Sequence, residues 1–187
     1  MSNLLTKYGA LLAKYPLRVQ MTSSGLLMGA GDIITQFTFE RKKNLPYDPV
    51  RTARFWFLGT FFLAPVISRW YVFLERNVML GGPRFRPLVR VAADQAIMSP
   101  SLQTTLLISL RLLEGCSLDE SVEKMRRDFW DIFLTGLKIW PAAQIFNFYY
   151  VPLNYRLIFV QTVALFWNCY LSWKTNVLNC SGDSRDL

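Results

Sequence analysis

Apolar residues in this chain fall into long stretches separated by short charged connections. Residues 17–39, 52–74, 88–112, 139–155 and 157–173 are apolar segments, and the last two are uncharged runs divided only by Arg156. A helix needs roughly 17 to 25 residues to cross the hydrocarbon of a bilayer, so each segment is long enough or nearly so. Two further stretches carry a one-sided pattern. In residues 1–16, Leu4, Leu5, Tyr8, Leu11, Leu12 and Tyr15 follow helical spacing, with Lys7 and Lys14 off the stripe. In 118–136, Val122, Met125, Phe129, Ile132, Phe133 and Gly136 trace one face and the charged residues lie largely elsewhere. The pattern predicts an all-α fold: a polytopic membrane helix bundle of four to five apolar segments plus an amphipathic helix. Residues 1–187 form a single membrane domain on this reading, with 1–16 an amphipathic basic N-terminus and 175–187 a tail.

Local signals mark where these helices begin and bend. Asp48 followed by Pro49 reads as an N-cap and a first-turn proline. Ser117 and Glu120 have the capping-box spacing, so the amphipathic helix starts there. Gly81-Gly82-Pro83 is a break. Pro65 and Pro100 lie inside apolar segments, where a proline removes a backbone donor and kinks the helix.

The informative positions are the polar ones inside apolar helices, because lipid cannot satisfy them. Gln161, Asn168 and Ser172 share one face of the final segment. In the first, Gly25 and Gly29 form a GxxxG pair for close helix packing, and the same face continues to Asp32 and Gln36. Asp94 and Gln95 open the uncharged part of the third segment. Lys138, Gln144, Asn147 and Arg156 border or interrupt the last two. Two readings stand side by side. Either these residues line a watery path, or they are hydrogen bonds between helices, with Asp32 or Asp94 paired to Arg69 or Arg156.

Composition narrows the chemistry. Of 187 residues, 52% are hydrophobic and 18% charged, against about 25% charged in an average soluble domain. The +8 net charge is spread over termini and connections rather than gathered on one helix, which favours anionic lipid over nucleic acid. Histidine is absent, which removes the usual general base and the commonest zinc ligand. Cys116, Cys169 and Cys180 have neither metal nor disulfide-framework spacing. Gly29-Ala30-Gly31-Asp32 lacks the strand and third glycine of a dinucleotide loop. The expectation is no enzyme, no metal and no cofactor. The expected partners are the lipid bilayer, small solutes or metabolites and, as a further option, a second copy of the chain. Conduction needs polar walls and no nucleophile.

Particular residues also carry a likeness. Trp140-Pro141-Ala142-Ala143-Gln144, Asn147-Phe148, Val151-Pro152 with Arg156, and Trp167-Asn168 with Tyr170 to Lys174 form a long motif. With Gly29, Gly31-Asp32, Gln36, Asp48, Arg51, Pro65, Trp70-Tyr71, Asp94-Gln95 and Pro100, the chain resembles the family of the peroxisomal membrane protein two and the mitochondrial Mpv-seventeen protein. Lys14-Tyr15-Pro16 with Gln20, and Ser172-Trp173-Lys174, look closest to the mitochondrial branch. The resemblance implies a mitochondrial inner-membrane protein with four spans. It implies a channel weakly selective for small solutes, supporting mitochondrial DNA maintenance and deoxynucleotide homeostasis. The alternatives are a non-conducting structural or assembly protein of that membrane, or the equivalent channel of the peroxisomal membrane.

Overall fold

A computed structural model describes residues 2–41, 46–77, 86–150 and 156–177. Helices account for almost all of them, and no strand occurs among the described residues. Helix α1 is Ser2–Lys14, and α2 is Pro16–Thr35, extended by a wide π turn over Gln36–Glu40. Helix α3 runs without a break through Pro49–Phe57, a π segment Leu58–Leu63, and Ala64–Asn77. Helix α4 repeats that plan with Arg86–Ala93, a π segment Asp94–Met98, and Ser99–Leu113. Helix α5 is Leu118–Tyr150 and α6 is Arg156–Val177.

The start and stop signals work as the side chains dictate. Asp48 Oδ1 accepts from Val50 N at 2.9 Å and Arg51 N at 3.1 Å, satisfying donors of the first turn of α3. At α5, Glu120 N donates to Ser117 Oγ at 3.3 Å, and Ser117 N donates back to Glu120 Oε2 at 3.0 Å. Helix α4 ends on Gly115 at φ +92°, with Cys116 N bonded to Arg111 O and Gly115 N to Leu112 O. That left-handed residue is what lets both terminal carbonyls find donors. The helix continues through both prolines. Each follows a π segment, Leu58–Leu63 before Pro65 and Asp94–Met98 before Pro100. Widening the preceding turn moves carbonyls off the place where a proline ring would strike them.

The amphipathic stretch 118–136 and the apolar run beginning at 139 are one helix of 33 residues, with Pro141 inside it. Nothing between Gly136 and Trp140 breaks a helix, and a proline is tolerated when neighbours re-satisfy the backbone. Among the described residues, two helical stretches are long and apolar enough to cross a membrane, Pro49–Leu74 and Val89–Leu113. The count of four to five spans goes beyond that. Much of the outer surface is apolar: Leu26, Phe61, Ile97, Leu134 and Phe166 are all well exposed, as suits side chains facing acyl chains.

Helix α2 is the hub, packed on α3 along one side and α6 along another. Helix α5 lies between α4 and α6, and α3 and α4 touch only lightly. The helices therefore form a ring rather than a stack. Glycines set the closest crossings, though not the pair the spacing suggested. A Cβ on Gly25 would lie 1.9 Å from Thr60 Oγ1, and one on Gly59 would lie 2.8 Å from Ser24 O. A Cβ on Gly31 would lie 2.6 Å from Asn168 Cβ. At Gly29 it would meet Trp56 Cβ at 3.6 Å, an ordinary contact. Gly25 thus pairs across to Gly59, and Gly31 is what admits α6.

Candidate functional site

Asp32 is fully buried, and both of its oxygens are saturated. Oδ1 takes Arg51 Nε at 2.8 Å and Ser172 Oγ at 2.7 Å. Oδ2 takes Gln36 Nε2 at 2.7 Å and Thr52 Oγ1 at 2.6 Å. Arg51 Nη2 also donates to Ser172 Oγ at 2.7 Å, closing a triangle over α2, α3 and α6. Gln36 reaches on, donating to Asp48 O and accepting from Asp48 N at 2.7 Å. Thr35 Oγ1 donates to Cys169 O at 3.0 Å. The cation beside Asp32 is therefore Arg51 rather than Arg69. Arg69 is exposed, and the Arg156 side chain lies outside the described residues. A buried carboxylate is tolerable only with such pairing, since an isolated one would be severely desolvated.

A second buried cation stands near it. Arg111, 3% exposed, pairs with Glu114 at 2.8 Å and with Asp128 at 3.7 Å, and donates to the Thr175 carbonyl. This links α4, α5 and α6. Ser172 and Thr175 are one turn apart, so both networks meet on the last turns of α6. At the edge, Lys174 Nζ donates to Asp131 Oδ2 at 2.7 Å, and the ammonium holds that carboxyl below the usual carboxylate range. The polar groups of α2, α4 and α6 sit near their C-terminal ends and those of α3 and α5 near their N-terminal ends. They gather at one end of the bundle because helices consecutive in the chain run in opposite directions, which leaves the neighbours α2 and α6 parallel.

The other feature is a cavity of about 340 Å³ inside the ring. Every helix from α2 to α6 contributes to its wall: Ser24 and Met28, Leu63 and Ile67, Asp94 to Leu107, Gly136 to Gln144, and Val160 to Leu171. Most of the wall is apolar, punctuated by Ser24, Asp94, Ser99, Gln103, Gln144 and Asn168. Asp94 is the one charged lining group among the described residues, and Trp70 Nε1 donates to it at 2.9 Å. Gln103 Nε2 donates to Phe129 O at 3.0 Å, joining α4 to α5. Trp140 and Trp167 meet edge to face at 6.2 Å, and Trp167 fills the space left by Gly136.

The candidate residues thus separate. Asp32, Gln36 and Ser172 belong to the polar end. Asp94, Gln144 and Asn168 are on the cavity wall. Gln95 is half-buried beside Asp94, and Lys138 is exposed. The side chains of Asn147, Arg156 and Gln161 lie outside the described residues. Reasoning from sequence overlooked Arg51 and Thr52 as partners of Asp32, and it overlooked Arg111, Asp128 and Thr175 altogether. Thr175 had a signal, since it extends the Asn168 and Ser172 face by one more turn. Arg111 had a weaker one, a cation one position after Leu110 in an apolar helix.

A ring of apolar helices that hides ion pairs at one end and surrounds a cavity is an integral membrane helix bundle. Among the described residues no cluster of three or more metal-ligating side chains occurs. A mitochondrial inner membrane protein Mpv17 from Caenorhabditis briggsae is 44% identical to this chain, covering 92% of it and 93% of the relative. Those of Danio rerio and Homo sapiens are both 39% identical, covering 94% and 91% of this chain and 99% and 97% of their own. The family model described as Mpv17 / PMP22 family matches residues 111–172. The chain belongs to the Mpv17 / PMP22 family and is a protein of the mitochondrial inner membrane. No solved structure matches it.

Proposed function

We propose that this protein is a passive channel of the mitochondrial inner membrane, weakly selective for small solutes, with the central cavity as its vestibule. The observation that carries the reading is the cavity itself: a space of about 340 Å³ walled by α2 to α6 with polar groups set into apolar helices. A carboxylate, amides and hydroxyls on such a wall can replace part of a solute's hydration without reacting with it. On this reading the chain is not an enzyme and needs no cofactor. Its contribution to deoxynucleotide homeostasis and mitochondrial DNA maintenance follows from solute exchange, not from contact with nucleic acid. Purified protein in a planar bilayer should give discrete current steps, and Asp94→Asn should change their ion preference. A quiet bilayer with folded protein in it would remove the proposal.

One observation favours a second reading. Asp32, Gln36 and Ser172 are saturated by partners on neighbouring helices, which is what a structural or assembly protein would do with them. A stoichiometric partner on co-purification, with no conductance from the pure chain, would support that reading.

A further inference from the structure

Between the cavity and the polar end lies a cluster of buried apolar side chains, bordered on α6 by Asn168. Leu107 and Leu171 form the floor of the cavity and are 2% and 4% exposed. Leu110, Ile132 and Phe55, at 2%, 0% and 1%, belong to the same core cluster but lie off the cavity wall. Beyond them the networks begin. Arg111 follows Leu110 and Ser172 follows Leu171, in helices heading toward the polar end. Asp128 is one turn before Ile132 and Arg51 one turn before Phe55, in helices leaving it. The same order of cavity, apolar layer and ion pairs is therefore repeated on α3, α4 and α5, and on α6 the cavity floor at Leu171 leads directly to Ser172.

Resting on the channel reading, we infer that this layer is the gate of the conduit, shut in this conformation. A constriction lined by aliphatic side chains cannot hold a water column, and an ion or polar solute that loses its hydration there finds nothing to replace it. The polar networks hold the layer closed by tying the last turns of α6 to α2, α3 and α4. The amides on the cavity wall solvate a solute up to the floor, and the layer stops it there. Opening therefore requires α6 to shift against its neighbours.

The test uses pairs of near-equal shape that differ in wetting. Ile132→Val and Ile132→Thr, and in parallel Leu110→Val and Leu110→Thr, are made in the full chain and checked for wild-type elution and melting. Potassium chloride current in planar bilayers and sucrose efflux from liposomes are then measured. Each threonine variant is expected to leak about tenfold more than its valine counterpart, because the hydroxyl hydrates the layer. Equal leak within both pairs overturns the inference. A second measurement leaves the layer intact: Ala164→Cys on the cavity wall, with Cys116, Cys169 and Cys180 changed to Ser. A membrane-impermeant thiol reagent should label it from one face of sealed vesicles only, and equal labelling from both faces overturns the inference. Wild type that conducts, with equal leak in the pairs, removes the gate and leaves the channel reading. Wild type and variants that never conduct remove the channel reading as well.

Discussion

Asp32 and Asp94 are both carboxylates on helices whose outer faces are apolar, yet the regions around them are built on opposite plans. Asp32 is sealed from water, accepts hydrogen bonds from Gln36, Thr52 and Ser172, and is ion-paired with Arg51. Asp94 has Trp70 as its side-chain donor and faces an open cavity. One region spends its polarity on holding helices together, and the other leaves polarity available to whatever enters. The difference shows that a polar residue in a greasy helix has no single meaning. Its meaning is set by whether its partners are protein or space.

Removing Arg51 should break the contrast most severely. Arg51→Ala leaves Asp32 buried with its cation gone, at a cost of about 3–5 kcal/mol. Thermal melting in detergent should show a much lower midpoint or no folded protein. Unchanged melting would mean that water reaches Asp32 after all.

Next come the crossings. Gly31→Ala puts a Cβ 2.6 Å from Asn168 Cβ and 3.0 Å from its carbonyl carbon, which cannot swing away. Forcing α2 from α6 there should cost about 1–3 kcal/mol. Gly29→Ala meets only ordinary contact at 3.6 Å and gains helix propensity, so its midpoint should equal or exceed wild type. A reversal of that order would contradict the packing described here.

Smaller again is the cavity side. Trp70→Phe takes the indole donor from Asp94, but the cavity can supply water in its place. The loss should stay below the roughly 1–3 kcal/mol of a dry unsatisfied group. Its visible effect should be on conductance rather than on melting. Smallest is Asp131. Lys174 lowers its carboxyl below the ordinary 3.8, so the pair's contribution is present above that value and fades as pH falls through the lower folded one. The small difference in melting between wild type and Asp131→Asn should be constant from pH 7 to about pH 5 and should vanish in acid.

Much of this was legible in the chain. The starts of α3 and α5 follow from Asp48-Pro49 and from Ser117 with Glu120, because a cap is local chemistry within a few residues. The polar faces of α2 and α6 were legible too, since helical spacing alone puts Asp32 with Gln36 and Asn168 with Ser172. Which arginine neutralises Asp32 was not. Arg51, Arg69 and Arg156 all border apolar segments, and only the register of α2 against α3 selects one. The continuity of α5 was hidden because the change from mixed to apolar residues at 139 read as a boundary. Gly59 was passed over because a single glycine has no spacing to advertise it. The wide turn in α3 was invisible for a related reason: in a run apolar on nearly every side, such as 55–63, a skip of one residue moves no polar position that would betray it.

Those wide turns carry a genetic consequence. Each of the segments Leu58–Leu63 and Asp94–Met98 holds one residue more than an ordinary helical turn would. Losing a single codon from 58–63 would tighten that turn to an ordinary one and leave the downstream half of α3 near its present azimuth, whereas the same loss from the regular turns of 49–57 would rotate everything after it by about 100°. Leu63, Ile67 and Trp70 would keep their directions in the first case and point elsewhere in the second. An in-frame loss in 58–63 should therefore disturb the packing less than one in 49–57.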